Sequence, residues 1–316
     1  MPYDFDPELL PLLDLLPERD PDDLEGERAL LSEMVGPLNT KVDTSGVTVA
    51  DHRAPGADGA PDVPVRVYSP EKPSPTGGRP VLLDIHGGGF TVGSIEMQHG
   101  FCTDVARELG VVVATVEYRL APEHPFPSAI EDCYAALRWL HDVADDLGVD
   151  RERIGVGGQS AGGGLTAGTV LLARDRGGPE VCFQVLGIPE LDHRLQTTSM
   201  RTFTDTPMFD RSSAIRSWNN YLGPDPGEEV SPYASPATAP DLTGLPPAYV
   251  TAMQFDPLRD EGILYALRLL EAGVQVELHS FPGTFHGSAL FTKAEVSRRA
   301  EAELLHALRR GLRAGD

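Results

Sequence analysis

Ser160 lies in Gly158-Gln159-Ser160-Ala161-Gly162, a G-x-S-x-G pattern that follows an apolar run and precedes a helix-like one. A glycine inside a helix costs about 1 kcal/mol relative to alanine, so Gly162, Gly163 and Gly164 at a helix start need a reason. A sharp strand-turn-helix connection, in which side chains beside the serine would collide with neighbouring backbone, supplies it. A glycine-rich phosphate loop fits less well, because Ser160 stands where the third glycine of G-x-G-x-x-G belongs and no G-K-[ST] follows.

A serine hydroxyl is a poor nucleophile alone and needs a base, an orienting carboxylate and donors for an oxyanion. Each has a candidate. His86-Gly87-Gly88-Gly89 ends the apolar run "LLDI", where backbone N–H groups, with that of Ala161, can stabilise a tetrahedral intermediate. "QFDPLRD" follows the apolar run "AYVTAM", and "PGTFHG" follows "VQVELHSF". Asp256 and His286 therefore sit at the carboxyl ends of successive strands, in the order serine, acid, histidine. Asp260, one helical turn further on, reads as a helix N-terminal charge, and His279, inside a strand, as a packing or surface residue.

These groups need a scaffold that brings strand ends together. Apolar, β-rich runs at 47–51, 63–68, 81–85, 111–116, 154–157, 181–187, 248–253 and 274–280 alternate with helical patterns at 97–109, 129–147, 161–174, 258–271 and 294–312. The alternation predicts α/β architecture with a mostly parallel, doubly wound central sheet flanked by helices. Two stretches break the rhythm: 1–45, acidic and proline-punctuated around "LLPLLDLL", and 189–225, which carries Met208, Phe209, Trp218 and Tyr221. Both read as a helical cap over the strand ends, leaving 46–188 and 226–316 as the two parts of the core. Phe90, directly after the glycines, and Met208, Phe209 and Trp218 in the second cap segment are assigned to the substrate pocket.

Composition narrows the partners. With 48 acidic against 26 basic residues the formal charge is −22, which repels nucleic acid and anionic membranes. The N-terminal "MPYDFDPELLPLL" lacks a basic leader and no apolar run approaches a membrane span, so a cytoplasmic location is expected. Cys102, Cys133 and Cys182 are odd in number and lack C-x-x-C spacing, which suits reduced thiols. Glu190, Asp192 and His193 are adjacent ligand types without a distant fourth, so no metal is assigned, and no cofactor. The apolar run at 274–280 is a candidate edge strand through which a homodimer would pair.

Taken jointly, "HGGGF", "YRLAPEHPFPSAIEDC", "GQSAGGG", "SPYASP", "LPPAYVTAMQFDPLRDEG" and "FHG" make the chain resemble the hormone-sensitive-lipase-like esterases, bacterial lipolytic family IV, over roughly residues 80–290. The resemblance implies a capped α/β-hydrolase fold, Ser160, Asp256 and His286 as triad, and an oxyanion hole from Gly88, Gly89 and Ala161. It also implies a serine carboxylesterase for short- to medium-chain esters, with a small-molecule ester as its partner. An amidase, thioesterase or lactonase would use the same groups. A non-catalytic binding protein, like the plant gibberellin receptors that resemble the family, would lack the histidine. Two residues depart from the pattern: Gln159, where the family usually has an acid, and Asp84, where it rarely has one.

Overall fold

The computed structural model describes residues 3–14, 16, 23–74, 77–224 and 229–315. The remaining parts of the 1–45 segment, two residues of the loop before the third strand, and the 225/226 boundary of the second cap segment lie outside the described residues. Eight strands form one sheet: β1 (Val47–Ala54), β2 (Val63–Pro70), β3 (Arg79–Ile85), β4 (Val112–Val116), β5 (Val149–Gln159), β6 (Phe183–Gly187), β7 (Ala248–Phe255) and β8 (Val276–Phe285). They lie in the order β1-β2-β4-β3-β5-β6-β7-β8. β1 and β2 pair antiparallel with their neighbours, and every pairing from β4 to β8 is parallel.

The ten helices of the described residues are α1 (Leu10–Leu13), α2 (Leu24–Asn39), α3 (His99–Leu109), α4 (Ser128–Asp142), α5 (Ala144–Leu147), α6 (Ala161–Asp175), α7 (Thr198–Thr202), α8 (Arg211–Leu222), α9 (Arg259–Glu271) and α10 (Glu295–Gly311). On β3, Val81, Leu83 and Ile85 pack into the core formed with α4, α6 and α9, whereas Leu82 packs against α3 and α10. Both faces of the strand are thus buried, which is why it reads as an unbroken apolar run rather than an alternating one. The parallel order lines up the carboxyl ends of β3, β5, β7 and β8 on one rim, where an open α/β sheet carries its ligand site.

Two stretches outside the strand–helix alternation carry further helices. The N-terminal segment contributes α1 and α2, and none of the residues of α2 is fully buried. The chain between β6 and β7, residues 188–247, contributes α7 and α8 before returning to the strand beside the one it left. Among the described residues no helix is long and apolar enough to cross a membrane.

Candidate active site

Ser160 stands at the tip of the turn between β5 and α6 with φ 57° and ψ −125°, a left-handed conformation that a non-glycine residue adopts only where its surroundings impose it. The imposition is steric. A Cβ built on Gly158 would lie 2.4 Å from the Ile85 carbonyl oxygen, and one on Gly162 2.1 Å from the same atom. Only glycine lets the turn approach β3 so closely, which accounts for the residues that helix propensity disfavours. The Ser160 N–H donates to the Gly187 carbonyl at 2.8 Å, and the Ser160 carbonyl accepts from Gly164 N at 3.0 Å and Glu190 N at 3.1 Å. The serine's backbone is held from three sides.

Asp256 directly follows β7 and His286 directly follows β8, so the sheet brings both to Ser160. His286 Nδ1 donates to Asp256 Oδ2 at 2.8 Å, and Nε2 lies 3.0 Å from Ser160 Oγ. Asp256 Oδ1 accepts from the Leu258 N–H at 2.8 Å, which fixes the carboxylate plane. With Nδ1 committed to the carboxylate, Nε2 is left as the acceptor for the serine proton. Asp256 is fully buried, and Ser160 and His286 remain only 8% and 7% exposed. Asp260 points elsewhere: its Oδ2 accepts from Ser199 N at 2.7 Å and its Oδ1 pairs with Arg259, tying α7 to the start of α9.

The glycine loop after β3 curls past the serine, with a Cβ built on Gly87 falling 3.4 Å from Ser160 Cβ. Gly88 and Gly89 have φ 121° and 54°. The Gly88 carbonyl is used internally, accepting from Thr91 N and Val92 N at 3.0 Å each. Among the described residues the N–H groups of Gly88, Gly89 and Ala161 reach no acceptor, so all three remain available to an incoming oxyanion. His86 braces this loop. Its Nδ1 donates to the Gly87 carbonyl at 2.8 Å, its ring stacks on Tyr118 at 4.2 Å, and Tyr118 Oη donates to the His86 carbonyl at 3.0 Å. Burial pulls its pKa down to about 4 against the favourable carbonyl contact, so the His86 ring is neutral.

The four residues assigned to the pocket separate into two pairs. Phe209 lies over the His286 ring at 4.6 Å between centroids, and Met208, with φ 64°, packs against Gly287. Phe90 and Trp218 are only 1% and 2% exposed, and Phe90 stacks on Tyr221 at 3.9 Å. Both lie in the main core cluster, where α8 turns Trp218 and Tyr221 inward on one face.

Several buried acids surround the machinery. Asp84, on the α3 side of β3, accepts from Gln98 Nε2 at 2.8 Å and Thr115 Oγ1 at 3.2 Å, with Cys102 Sγ at 3.9 Å. Burial raises its pKa to about 7 despite those donors. Glu190 is completely buried beside the Ser217 hydroxyl, and burial raises its pKa to about 8 against that contact, helped by the nearby charge of Asp256. Asp192 pairs with Arg194 at 2.7 Å, and His193 Nδ1 lies 2.9 Å from Ser235 Oγ. His279, Glu277 and Glu303 do approach one another, but Glu277 is already paired with Arg310. Gln159 is exposed and stays in register beside Gly187, leaving the turn intact.

One contact carries no motif. Phe5 packs edge-on against Phe255 at 5.3 Å and Phe285 at 5.2 Å, the residues immediately before Asp256 and His286. Asp6 N donates to the Gly283 carbonyl at 2.9 Å. The N-terminal segment thus wedges between the two loops that present the acid and the base, a long-range contact that local sequence does not signal.

The comparisons with known proteins agree with this geometry. Residues 82–290 match the family model described as alpha/beta hydrolase fold. The carboxylesterase NlhH of Mycobacterium tuberculosis is 39% identical, the match covering 96% of this chain and 97% of that protein. Among solved structures, a bacterial heroin esterase superposes with a TM-score of 0.95 at 56% identity over 98% of both chains. An esterase of Pyrobaculum calidifontis does so with a TM-score of 0.86 at 36% identity, over 97% of this chain and 98% of that one.

Proposed function

From this chain's place in the alpha/beta hydrolase family, to whose hormone-sensitive-lipase-like branch it belongs, we infer that it is a carboxylic ester hydrolase working through Ser160, His286 and Asp256. The observation that carries the assignment of residues is the unbroken relay from Ser160 Oγ through His286 to Asp256, with contacts of 3.0 and 2.8 Å. In the first half-reaction His286 Nε2 takes the serine proton as Oγ attacks the ester carbonyl. The carbonyl oxygen gains negative charge and is met by the N–H groups of Gly88, Gly89 and Ala161. His286 returns the proton to the departing alkoxide, leaving an acyl-serine and a free alcohol. Water, deprotonated by His286, then releases the carboxylic acid, while Asp256 stabilises the imidazolium formed in each half.

Short- to medium-chain acyl groups suit this site. The cap stretches close over the rim, and Phe209 covers one face of His286. Each added methylene contributes about 0.8 kcal/mol until the pocket ends, so kcat/KM rises and then falls along an acyl series. The dissolved ester is the partner that the −22 surface permits, with nucleic acid and anionic membranes repelled. The free thiols Cys102, Cys133 and Cys182 fit a reducing, cytoplasmic setting. β8 is the outer strand of the sheet, and a second copy pairing along it forms a homodimer; light scattering that returns a monomer at micromolar concentration rejects this.

The test is hydrolysis of p-nitrophenyl esters from acetate to palmitate, with intact-mass detection of the acyl-enzyme. Wild type should gain one acyl mass on Ser160, and Ser160→Ala and His286→Ala should each lose several orders of magnitude in kcat while remaining folded. Retained turnover in Ser160→Ala, or a preference for palmitate, rejects the reading.

A further inference from the structure

The outer side of the glycine loop is held by a residue of the N-terminal segment. Arg28, on α2, donates from Nε to the Thr91 carbonyl at 2.8 Å and from one terminal nitrogen to the Ala121 carbonyl at 3.0 Å. Its two terminal nitrogens also form a fork on Glu123, at 2.7 and 2.8 Å. Thr91 is the third residue after Gly88, whose carbonyl accepts the Thr91 N–H, and the Phe90 carbonyl accepts from Ala121 N at 2.9 Å. One guanidinium therefore spans the joint between the glycine loop and the 118–121 stretch, the same stretch whose Tyr118 braces His86.

We propose that Arg28 is a positioning residue for the oxyanion hole, acting through the Thr91 and Ala121 carbonyls to hold the Gly88 and Gly89 N–H groups in place. The proposal rests on the reading above, that these two groups receive the oxyanion. His86 braces the inner side of the loop, and Arg28 holds its outer side. Gly88 and Gly89 have no side chains, both adopt positive φ, and a shift of the loop aims two donors away from a point that must be met within about 3 Å. A planar fork reaching two carbonyls and one carboxylate at once constrains that loop in a way that an ammonium, with a single point of charge, does not. Glu123 takes up the outer edge of the guanidinium, and the pair lowers the Glu123 pKa to about 2, chiefly through the hydrogen bonds from Arg28.

A residue that merely anchored α2 would behave differently. Its loss would loosen the cap, raising KM and widening the range of acyl chains, and would leave the chemistry of a bound acetate ester alone. A positioning residue acts on the transition state. Loss of Arg28 lowers kcat and weakens a tetrahedral adduct by the same factor, with KM little changed.

The experiment compares Arg28→Met, Arg28→Lys and Glu123→Gln with wild type, measuring kcat and KM for p-nitrophenyl acetate and the inhibition constant of a short alkyl trifluoromethyl ketone. Arg28→Met should lose about tenfold in kcat and about tenfold in ketone affinity, less than the 10² to 10³ that deleting an oxyanion donor costs. Arg28→Lys should recover part of both, and Glu123→Gln, which leaves the two carbonyl contacts in place, should stay within about threefold of wild type. If Arg28→Met fails to fold, the Arg28→Lys pair of measurements carries the test with a smaller parallel loss. A change confined to KM, or ketone affinity unchanged while kcat falls, overturns the proposal. Wild type that forms no adduct with the ketone overturns the reading of the hole itself, and the proposal with it.

Discussion

Replacing Glu190 by glutamine keeps the shape of the side chain and removes its proton chemistry, which isolates the energetics of a buried acid behind the nucleophile. The ordinary glutamate value of 4.5 is raised to about 8 by burial, against a backdrop of Asp256 and of Glu261, itself pushed upward by burial. In the unfolded chain Glu190 loses its proton near pH 4.5, whereas in the folded protein it keeps it to about pH 8. Between those values the folded state binds more protons, so raising the pH favours unfolding, and above about pH 8 the penalty is complete. A difference of about 3.5 units, at about 1.4 kcal/mol each, sets an upper bound of roughly 5 kcal/mol. Asp84, raised to about 7, titrates in both proteins and cancels in the comparison. The assay is urea unfolding of wild type and Glu190→Gln at pH 5, 6, 7, 8 and 9. The variant should gain progressively on wild type from pH 5 to 8 and hold its lead at pH 9. A stability difference that is the same at pH 5 and pH 8 would refute the reasoning, because it would mean that Glu190 is ionised in the folded protein or lies in water.

Three further outcomes follow from contacts at the site. Asp256→Asn should lower kcat by about 10⁴ through loss of the carboxylate that orients His286, whereas Asp260→Asn, whose side chain ties α7 to α9, should lower stability by about 1 kcal/mol and leave kcat within about threefold; the reverse order in kinetic assays would show that the wrong acid had been assigned. Phe5→Ala should destabilise by about 3 to 5 kcal/mol and lower kcat, because its ring separates the loops bearing Asp256 and His286; thermal melts unchanged from wild type would remove the wedge. Gly162→Ala should give no active folded enzyme, since its Cβ would meet the Ile85 carbonyl oxygen at 2.1 Å, and a soluble variant with normal turnover would show that the turn can open.

Much of the site was legible because its requirements are local. Ser160 needs glycines on both sides, and Asp256 and His286 each follow a recognisable apolar strand, so residue type and position coincide. The apolar runs at β3, β4 and β6 were legible for a related reason: both faces are covered, and no alternation is needed. Other features have no local signature. Trp218 and Tyr221 share one face of α8, and periodicity finds that face without saying whether core or pocket lies opposite. α2 is disguised by Gly26, Gly36 and Pro37 within its span, yet its Asp23 cap accepts from Gly26 N at 2.8 Å. The partners of Asp84 arrive from α3 and β4, and Phe5 meets Phe285 from the far end of the chain. Arg28 is one of many arginines until the carbonyls that it holds are placed around it.

The excursion from β6 to β7 has an evolutionary consequence. Gly187 pairs with Thr251 and Gln184 with Ala248, so the insert of residues 188–247 leaves the carboxyl end of β6 and returns at the start of the neighbouring parallel strand. Lengthening such a loop adds only slowly to the entropy of closing it, about 0.6 kcal/mol per doubling. The strand register that delivers the acid and the base does not depend on what the excursion contains. Its backbone ties to the site lie at its root, where Glu190 N meets the Ser160 carbonyl, and at Ser199, where α7 meets Asp260, while Met208 and Phe209 reach the His286 loop through side chains. Selection can therefore rewrite the interior of that insert, and with it the preferred ester, while the reaction is inherited unchanged. Chimeras that exchange residues 203–240 between relatives while keeping those roots should transfer acyl preference as a module.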